Sequence, residues 1–161
     1  MKEFYVICDN IRSLDNIGSI FRTCDALGVA KIYLCGISAK PPVGEDAKKF
    51  LQRKGVISKT ALGAEKTIPF EYYKQTGRLI DKLKKDKINI IALEQSKDAI
   101  SCLKFKAKFP LALILGNEIK GISKAILKKC DKIIELPMAG KKESLNVSVA
   151  FGVVGYHIIN F

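Results

Sequence analysis

Phe4-Tyr5-Val6-Ile7-Cys8, then Ile17-Gly18-Ser19-Ile20-Phe21-Arg22-Thr23-Cys24, then Lys31-Ile32-Tyr33-Leu34-Cys35 follow one another at the start of the sequence. The first and third segments are short and apolar on both faces, the pattern of strands in a sheet covered on both sides. In the middle segment Ile17, Ile20, Phe21, Cys24 and Leu27 recur at helical spacing. They predict one buried stripe on a helix over about residues 16–28, with Asp15 or Asn16 as the cap at its start. Strand, helix and strand in that order predict a parallel pair joined by a helical crossover.

The same alternation continues outward. Ile88–Leu93, Leu111–Leu115 and Lys132–Leu136 are further strand-like runs, and helical periodicity covers about 71–87, 122–130 and 145–160. The expected fold class is α/β, a largely parallel sheet flanked by helices. Residues 38–54, with Pro41, Pro42 and Gly44, read as a long basic loop with at most one helical turn. No repeat or linker interrupts the chain, so residues 1–161 are expected to form a single domain with nothing appended.

Composition narrows the class. The chain has 161 residues, 48% hydrophobic and 27% charged, enough for one buried core and unlike a disordered tail. No run of ~18 apolar residues predicts a membrane span, and the N-terminus lacks a signal-peptide pattern. A cytoplasmic protein is expected. Five scattered cysteines without a C-x-x-C pair, and a single histidine, His157, imply reduced buried thiols and no metal site.

Charge is more informative. The net charge is +12, and residues 1–35 are balanced, so the whole excess lies in residues 36–161. A polyanionic partner, nucleic acid first, is one reading. Lysine solvating the surface is the other, since only four of the 28 basic residues are arginine. The run Lys82, Lys84, Lys85 and Lys87 reads as the wet face of a helix.

Familiar catalytic patterns fail. Gly116 to Ser123 has P-loop glycine spacing but puts Ile122 where the phosphate-binding lysine belongs. There is no G-x-G-x-x-G after a strand and no G-x-S-x-G elbow. What remains is polar residues gathered where strands end: Asn10, Arg12 and Asn16; Gly116, Asn117 and Glu118; Pro137, Met138 and Gly140; and Ser144 and Asn146 at the start of the last helix. The carboxyl ends of strands in α/β sheets are where ligands bind. Helix capping accounts for Ser144 and Asn117 but not for three such clusters.

Two helices add detail. At ~100° per residue Arg22 faces away from the buried stripe, and Gly18 on the same side predicts open space beside the guanidinium. Arg22 is either a surface arginine paired with Asp25 or a functional group. The last helix is apolar around its circumference, from Leu145 and Val147 to Ile158 and Ile159. A helix of this kind is buried on all sides, by the domain or, as the favoured reading, by a second copy in a homodimer. His157 then reads as a core or interface residue.

Three of these stretches carry a resemblance. Asn10 to Gly28, with its Asn16-x-Gly18-x-x-x-Arg22 core, resembles the first motif of the SpoU–TrmH RNA methyltransferases of the SPOUT superfamily. Leu115-Gly116-Asn117-Glu118 to Ser123 resembles the second, and Leu136-Pro137-Met138-Ala139-Gly140 followed by Ser144 to Ala150 the third. The resemblance implies S-adenosylmethionine as methyl donor, a ribose 2′-hydroxyl of RNA as acceptor, a C-terminal trefoil knot and a homodimer. By motif position it implies Asn16, Arg22, Glu118, Ser144 and Asn146 as catalytic residues. Gly116, Leu136 and Leu145, with Leu93, would line the donor pocket. The family's arginine is a proposed general base; phosphate anchoring and polarisation of the hydroxyl suit its permanent charge better. Without an appended RNA-binding domain, RNA would be gripped by Arg12, Arg22, Lys48, Lys49, Arg53, Lys54, Lys59, Lys141 and Lys142. Transfer RNA is the first expected substrate, ribosomal RNA the second; an RNA-binding module without catalysis is the alternative of another class.

Overall fold

The computed structural model describes residues 2–42 and 57–160. Seven strands, β1 (Phe4–Asp9), β2 (Lys31–Cys35), β3 (Phe70–Tyr73), β4 (Asn89–Leu93), β5 (Ile100–Ser101), β6 (Leu111–Leu115) and β7 (Lys132–Glu135), form one sheet of order β3-β2-β1-β6-β4-β7-β5. Every pairing is parallel. The helices are α1 (Leu14–Leu27), α2 (Ile57–Ala61), α3 (Ala64–Thr67), α4 (Thr76–Lys85), α5 (Lys124–Leu127) and α6 (Val147–Asn160), with a 3-10 turn at Cys102–Lys104.

Strand periodicity explains the two-sided burial. Phe4, Val6 and Cys8 of β1, with Leu111, Leu113 and Leu115 of β6, join Phe21 of α1 and Phe151 of α6 in one apolar layer. The alternate residues, Ile7, Ala112 and Ile114, meet Leu79, Ile80 and Leu83 of α4 in the other. β6 is buried throughout because it is a central strand with helices on both faces. All five cysteines are free, and four are buried.

Several expectations are corrected. The 71–87 helix begins only at Thr76, because Phe70–Tyr73 extends the sheet beyond β2. The expected helices at 122–130 and 145–160 shorten to α5 and α6. The cap of α1 is Ser13, whose Oγ accepts from the Asn16 N–H, rather than Asp15 or Asn16. Gly18 faces no open space. A Cβ there would run into Thr60 Oγ1 and the Ile57 carbonyl, so Gly18 is where α2 packs on α1. Asp25 accepts from Thr67 Oγ1, and among the described residues no ion pair reaches Arg22.

The last helix is not enclosed by its own chain. Phe151, Val154, Gly155 and Ile158 are buried, while Val149 (52% exposed), Val153 (48%) and Tyr156 (51%) form an apolar stripe on its outer side. Lys82, Lys84, Lys85 and Lys87 are exposed, as the charge pattern predicts. No described helix is long and apolar enough to cross a membrane.

Candidate active site

The strand order sets the site. Because β6 lies between β1 and β4, the loop after Leu115 leaves the sheet at its middle. The exits of β4 and β7 open on one side of it, and those of β1, β2 and β3 on the other. This is the topological switch position at which open α/β sheets bind ligands.

The loop is rigid. Asn117 Oδ1 accepts from the Ile119 and Lys120 N–H groups at 3.0 and 2.9 Å, and the Gly121 N–H donates to the Asn117 carbonyl at 2.9 Å. Asn117 Nδ2 donates to the Asn10 carbonyl at 2.7 Å, fixing the β6 exit to the β1 exit. From the other side Glu94 Oε2 accepts from the Ile122 N–H at 2.8 Å. A Cβ on Gly116 would lie 2.6 Å from Ile122 Cγ1 and 2.8 Å from the Gly121 carbonyl carbon, so only glycine allows this close return of the chain.

A cavity of about 440 Å³ opens over β4, β6 and β7. Leu93, Gly116, Leu136 and Leu145, the four positions expected for the donor pocket, all line it, as do Glu118, Ser144 and Asn146. Its apolar walls are completed by Leu115, Val147 and Ala150, and its polar edge by Glu94 and Gln95. Motif reading missed Glu94, although it directly follows a strand-like run and so satisfies the strand-exit rule. Gln95 Nε2 donates to the Glu143 carbonyl, closing one rim.

Glu118, Asn16 and Asn146 form a chain of polar contacts. Glu118 Oε1 accepts from the Ser13 N–H and from Asn16 Nδ2, both at 3.1 Å, and Oε2 accepts from the Arg12 N–H at 3.4 Å. Asn16 Oδ1 accepts from Asn146 Nδ2 at 3.0 Å. Asn146 Oδ1 accepts from the Ser148 N–H at 2.9 Å and its hydroxyl at 2.7 Å, so Asn146 caps α6, a role the sequence assigns to Ser144. Desolvation alone would raise the Glu118 carboxyl. The donors of its own backbone, Asn16, Ser13 and Arg12 together outweigh it and hold the group below the usual carboxylate range.

Arg22 stands apart from this group. It is exposed on α1, six residues beyond Asn16, and does not line the cavity. Arg12, Lys59, Lys141 and Lys142 are exposed, while Lys48, Lys49, Arg53 and Lys54 lie outside the described residues.

Residues 3–156 match the model of the SpoU rRNA methylase family. The chain belongs to that family. Among its SpoU relatives, the tRNA (guanosine(18)-2′-O)-methyltransferase of Aquifex aeolicus is 31% identical over 155 residues, covering 96% of this chain and 68% of its own length. The crystal structure of the TrmH/SpoU tRNA modifying enzyme of A. aeolicus superposes with a TM-score of 0.81 at 29% identity, over 98% of this chain and 74% of that one. The SpoU methyltransferase AviRb of Streptomyces viridochromogenes, in complex with AdoMet, gives 0.79 at 26% identity, over 98% and 60%. The chain spans 57% to 68% of the first curated SpoU relatives it matches.

Proposed function

We infer that this chain transfers the methyl group of S-adenosylmethionine to a ribose 2′-hydroxyl of structured RNA, with transfer RNA as the first substrate class and ribosomal RNA as the second. The observation that carries the reading is the meeting of Leu93, Gly116, Leu136 and Leu145 around one cavity, with Glu118 and Asn146 at its edge. The residues fit the donor. Leucines give an apolar slot for an adenosine moiety, the Glu118 carboxylate favours a nearby cation, and Gly116 leaves backbone groups within reach of a ligand. AviRb, similar over 98% of this chain, holds AdoMet in its complex.

Bound there, S-adenosylmethionine supplies an electrophilic methyl on a sulfonium sulfur. Transfer then needs the ribose oxygen in line with that methyl and relieved of its proton. Asn16, held between Glu118 and Asn146, orients groups at the mouth of the cavity. Glu118 keeps α1 and the β6 loop in register, and Ser144 stands at the same rim. A guanidinium is a poor base and a good phosphate ligand, so the role of Arg22 is to anchor an RNA phosphate and polarise the hydroxyl. The reading also makes the C-terminal part a trefoil knot, in the region where β6 and β7 flank β4.

A homodimer completes the reading. A second copy seated on Val149, Val153 and Tyr156 removes an exposed apolar stripe from water. Arg22, on the outer side of the neighbouring helix α1, would then face the partner's cavity and act in trans. Exposed Arg12, Lys59, Lys141 and Lys142 supply phosphate contacts, together with Lys48, Lys49, Arg53 and Lys54, and the protein acts in the cytoplasm. Calorimetry with S-adenosylmethionine tests the donor site. One donor per chain is expected, lost in Ala150→Phe, whose ring fills the cavity. Undiminished binding in that folded variant would overturn the assignment.

A further inference from the structure

A second cavity, of about 940 Å³, lies on the other side of the β6 loop. It shares Asn117, Glu118, Ile119 and Gly121 with the first as a common wall. Asp9, Lys74, Gln75 and Thr76 of its lining lie outside the three motifs. They come together only because β1, β2 and β3 end side by side.

Three features define what it can hold. Its polar floor is Asp9, which is 4% exposed. Thr76 Oγ1 and Asn10 Nδ2 both donate to Asp9 Oδ1, at 2.5 and 3.0 Å. No buried side-chain oxygen among the described residues lacks a partner, so Oδ2 is open to the cavity and not sealed against protein. Among the described residues no donor reaches Oδ2, and the two bonds to Oδ1 hold the carboxylate in place. The rim carries Arg12, Lys74 and Lys120, all exposed cations. Ile119, 94% exposed on the rigid Asn117–Gly121 turn, presents an apolar flank at the boundary between the cavities. An acceptor at the floor, cations at the rim and an apolar flank match a nucleotide with base inward and phosphate outward.

Resting on the RNA reading of the adjoining site, we propose that this second cavity receives the nucleotide next to the one being methylated. Asp9 Oδ2 accepts from an exocyclic amino group of its base, as a carboxylate does from the N4 of cytosine. Lys74 and Lys120 hold its phosphate. A base with a carbonyl at that position, such as uracil, sets lone pairs against the carboxylate and is disfavoured. The described residues would thus read one neighbouring base themselves.

The test is backbone amide NMR on the full chain with the first cavity saturated by S-adenosylhomocysteine. CMP is expected to move the amides of Asn10, Gln75, Thr76 and Lys120, and UMP to bind about tenfold more weakly. Asp9→Asn removes that preference, and the double variant Lys74→Ala with Lys120→Ala weakens both nucleotides alike. The exposed lysines keep the proposal testable if Asp9→Asn fails to fold. A cytidine-containing dinucleotide binds at least as tightly as CMP if the site takes a unit of a strand; rejection of the dinucleotide would overturn that claim. Unmoved Asn10 and Thr76 amides, or equal affinity for CMP and UMP, would overturn the site itself. S-adenosylhomocysteine failing to move Leu93, Gly116 and Leu136 would overturn the donor pocket alone.

Discussion

Asn16 Nδ2 donates to Glu118 Oε1 at 3.1 Å across 102 residues of chain, joining the first turn of α1 to the loop after the central strand. The same carboxylate also receives the N–H groups of Arg12 and Ser13, so one side chain fixes how α1 enters from β1. Glu118→Ala leaves these donors to water. The expected loss is about 1 kcal/mol of stability, small because the carboxylate is largely solvated. Methyl transfer falls further, on the order of a hundredfold in kcat, because Asn16 loses its position. Urea unfolding and single-turnover transfer separate the two effects.

Glu118 and Asp9 respond to pH in opposite directions. The folded pKa of Glu118 is lowered, so its contribution is present above about 4.3 and lost as pH falls through the folded value. Asp9 is raised, chiefly by desolvation, against the hydrogen bond from Thr76. Its relative stability is full below about 3.9 and lost as pH rises through the folded value. Asp9→Asn is therefore expected to raise Tm at neutral pH, with the gain vanishing at acid pH. A variant that melts lower than the parent at neutral pH would contradict this.

Gly18→Ala tests the contact of α1 with α2. Its methyl meets the Ile57 carbonyl, which is backbone and cannot swing aside, so a loss of about 1–3 kcal/mol is expected. A neutral or stabilising result in thermal unfolding would mean that α2 packs elsewhere.

Much of this architecture was legible in the chain. β1, β2, β4, β6 and β7 stand out because strands covered on both faces must be continuously apolar. β3 and β5 did not stand out. They are edge strands, short and only partly buried, and Phe70–Tyr73 runs close into a helix with strong periodicity of its own. Asp15 and Asn16 are capping types too and stand nearer the apolar stripe, which hides Ser13 as the cap, and Gly18 reads as a gap because α2 carries no pattern long enough to predict. Within the site, Gly116, Glu118 and Asn146 were identified by motif. Asp9 and Thr76 were not, because their contact depends on β1 and β3 ending on either side of β2, which local sequence does not encode.

Val153→Lys places a charge in the middle of the exposed stripe on α6. The parent is expected to sediment as a dimer and the variant as a folded monomer. A parent that stays monomeric at high concentration would remove the dimer from the account.

Arg22 in trans has a stricter consequence. Arg22→Ala lacks the guanidinium and Ala150→Phe lacks a usable cavity, so each is expected to be inactive alone. Mixed and allowed to exchange, they regain about a quarter of parental activity if Arg22 serves its partner. They regain none if it serves its own chain.

The central claim is tested most directly by methyl transfer from labelled S-adenosylmethionine to separate pools of unmodified transfer and ribosomal RNA. Products are digested to nucleosides and identified by mass spectrometry, with Arg22→Ala alongside. The account predicts a 2′-O-methylated nucleoside from one pool and none with the variant. A methylated base, or equal transfer by Arg22→Ala, would contradict it.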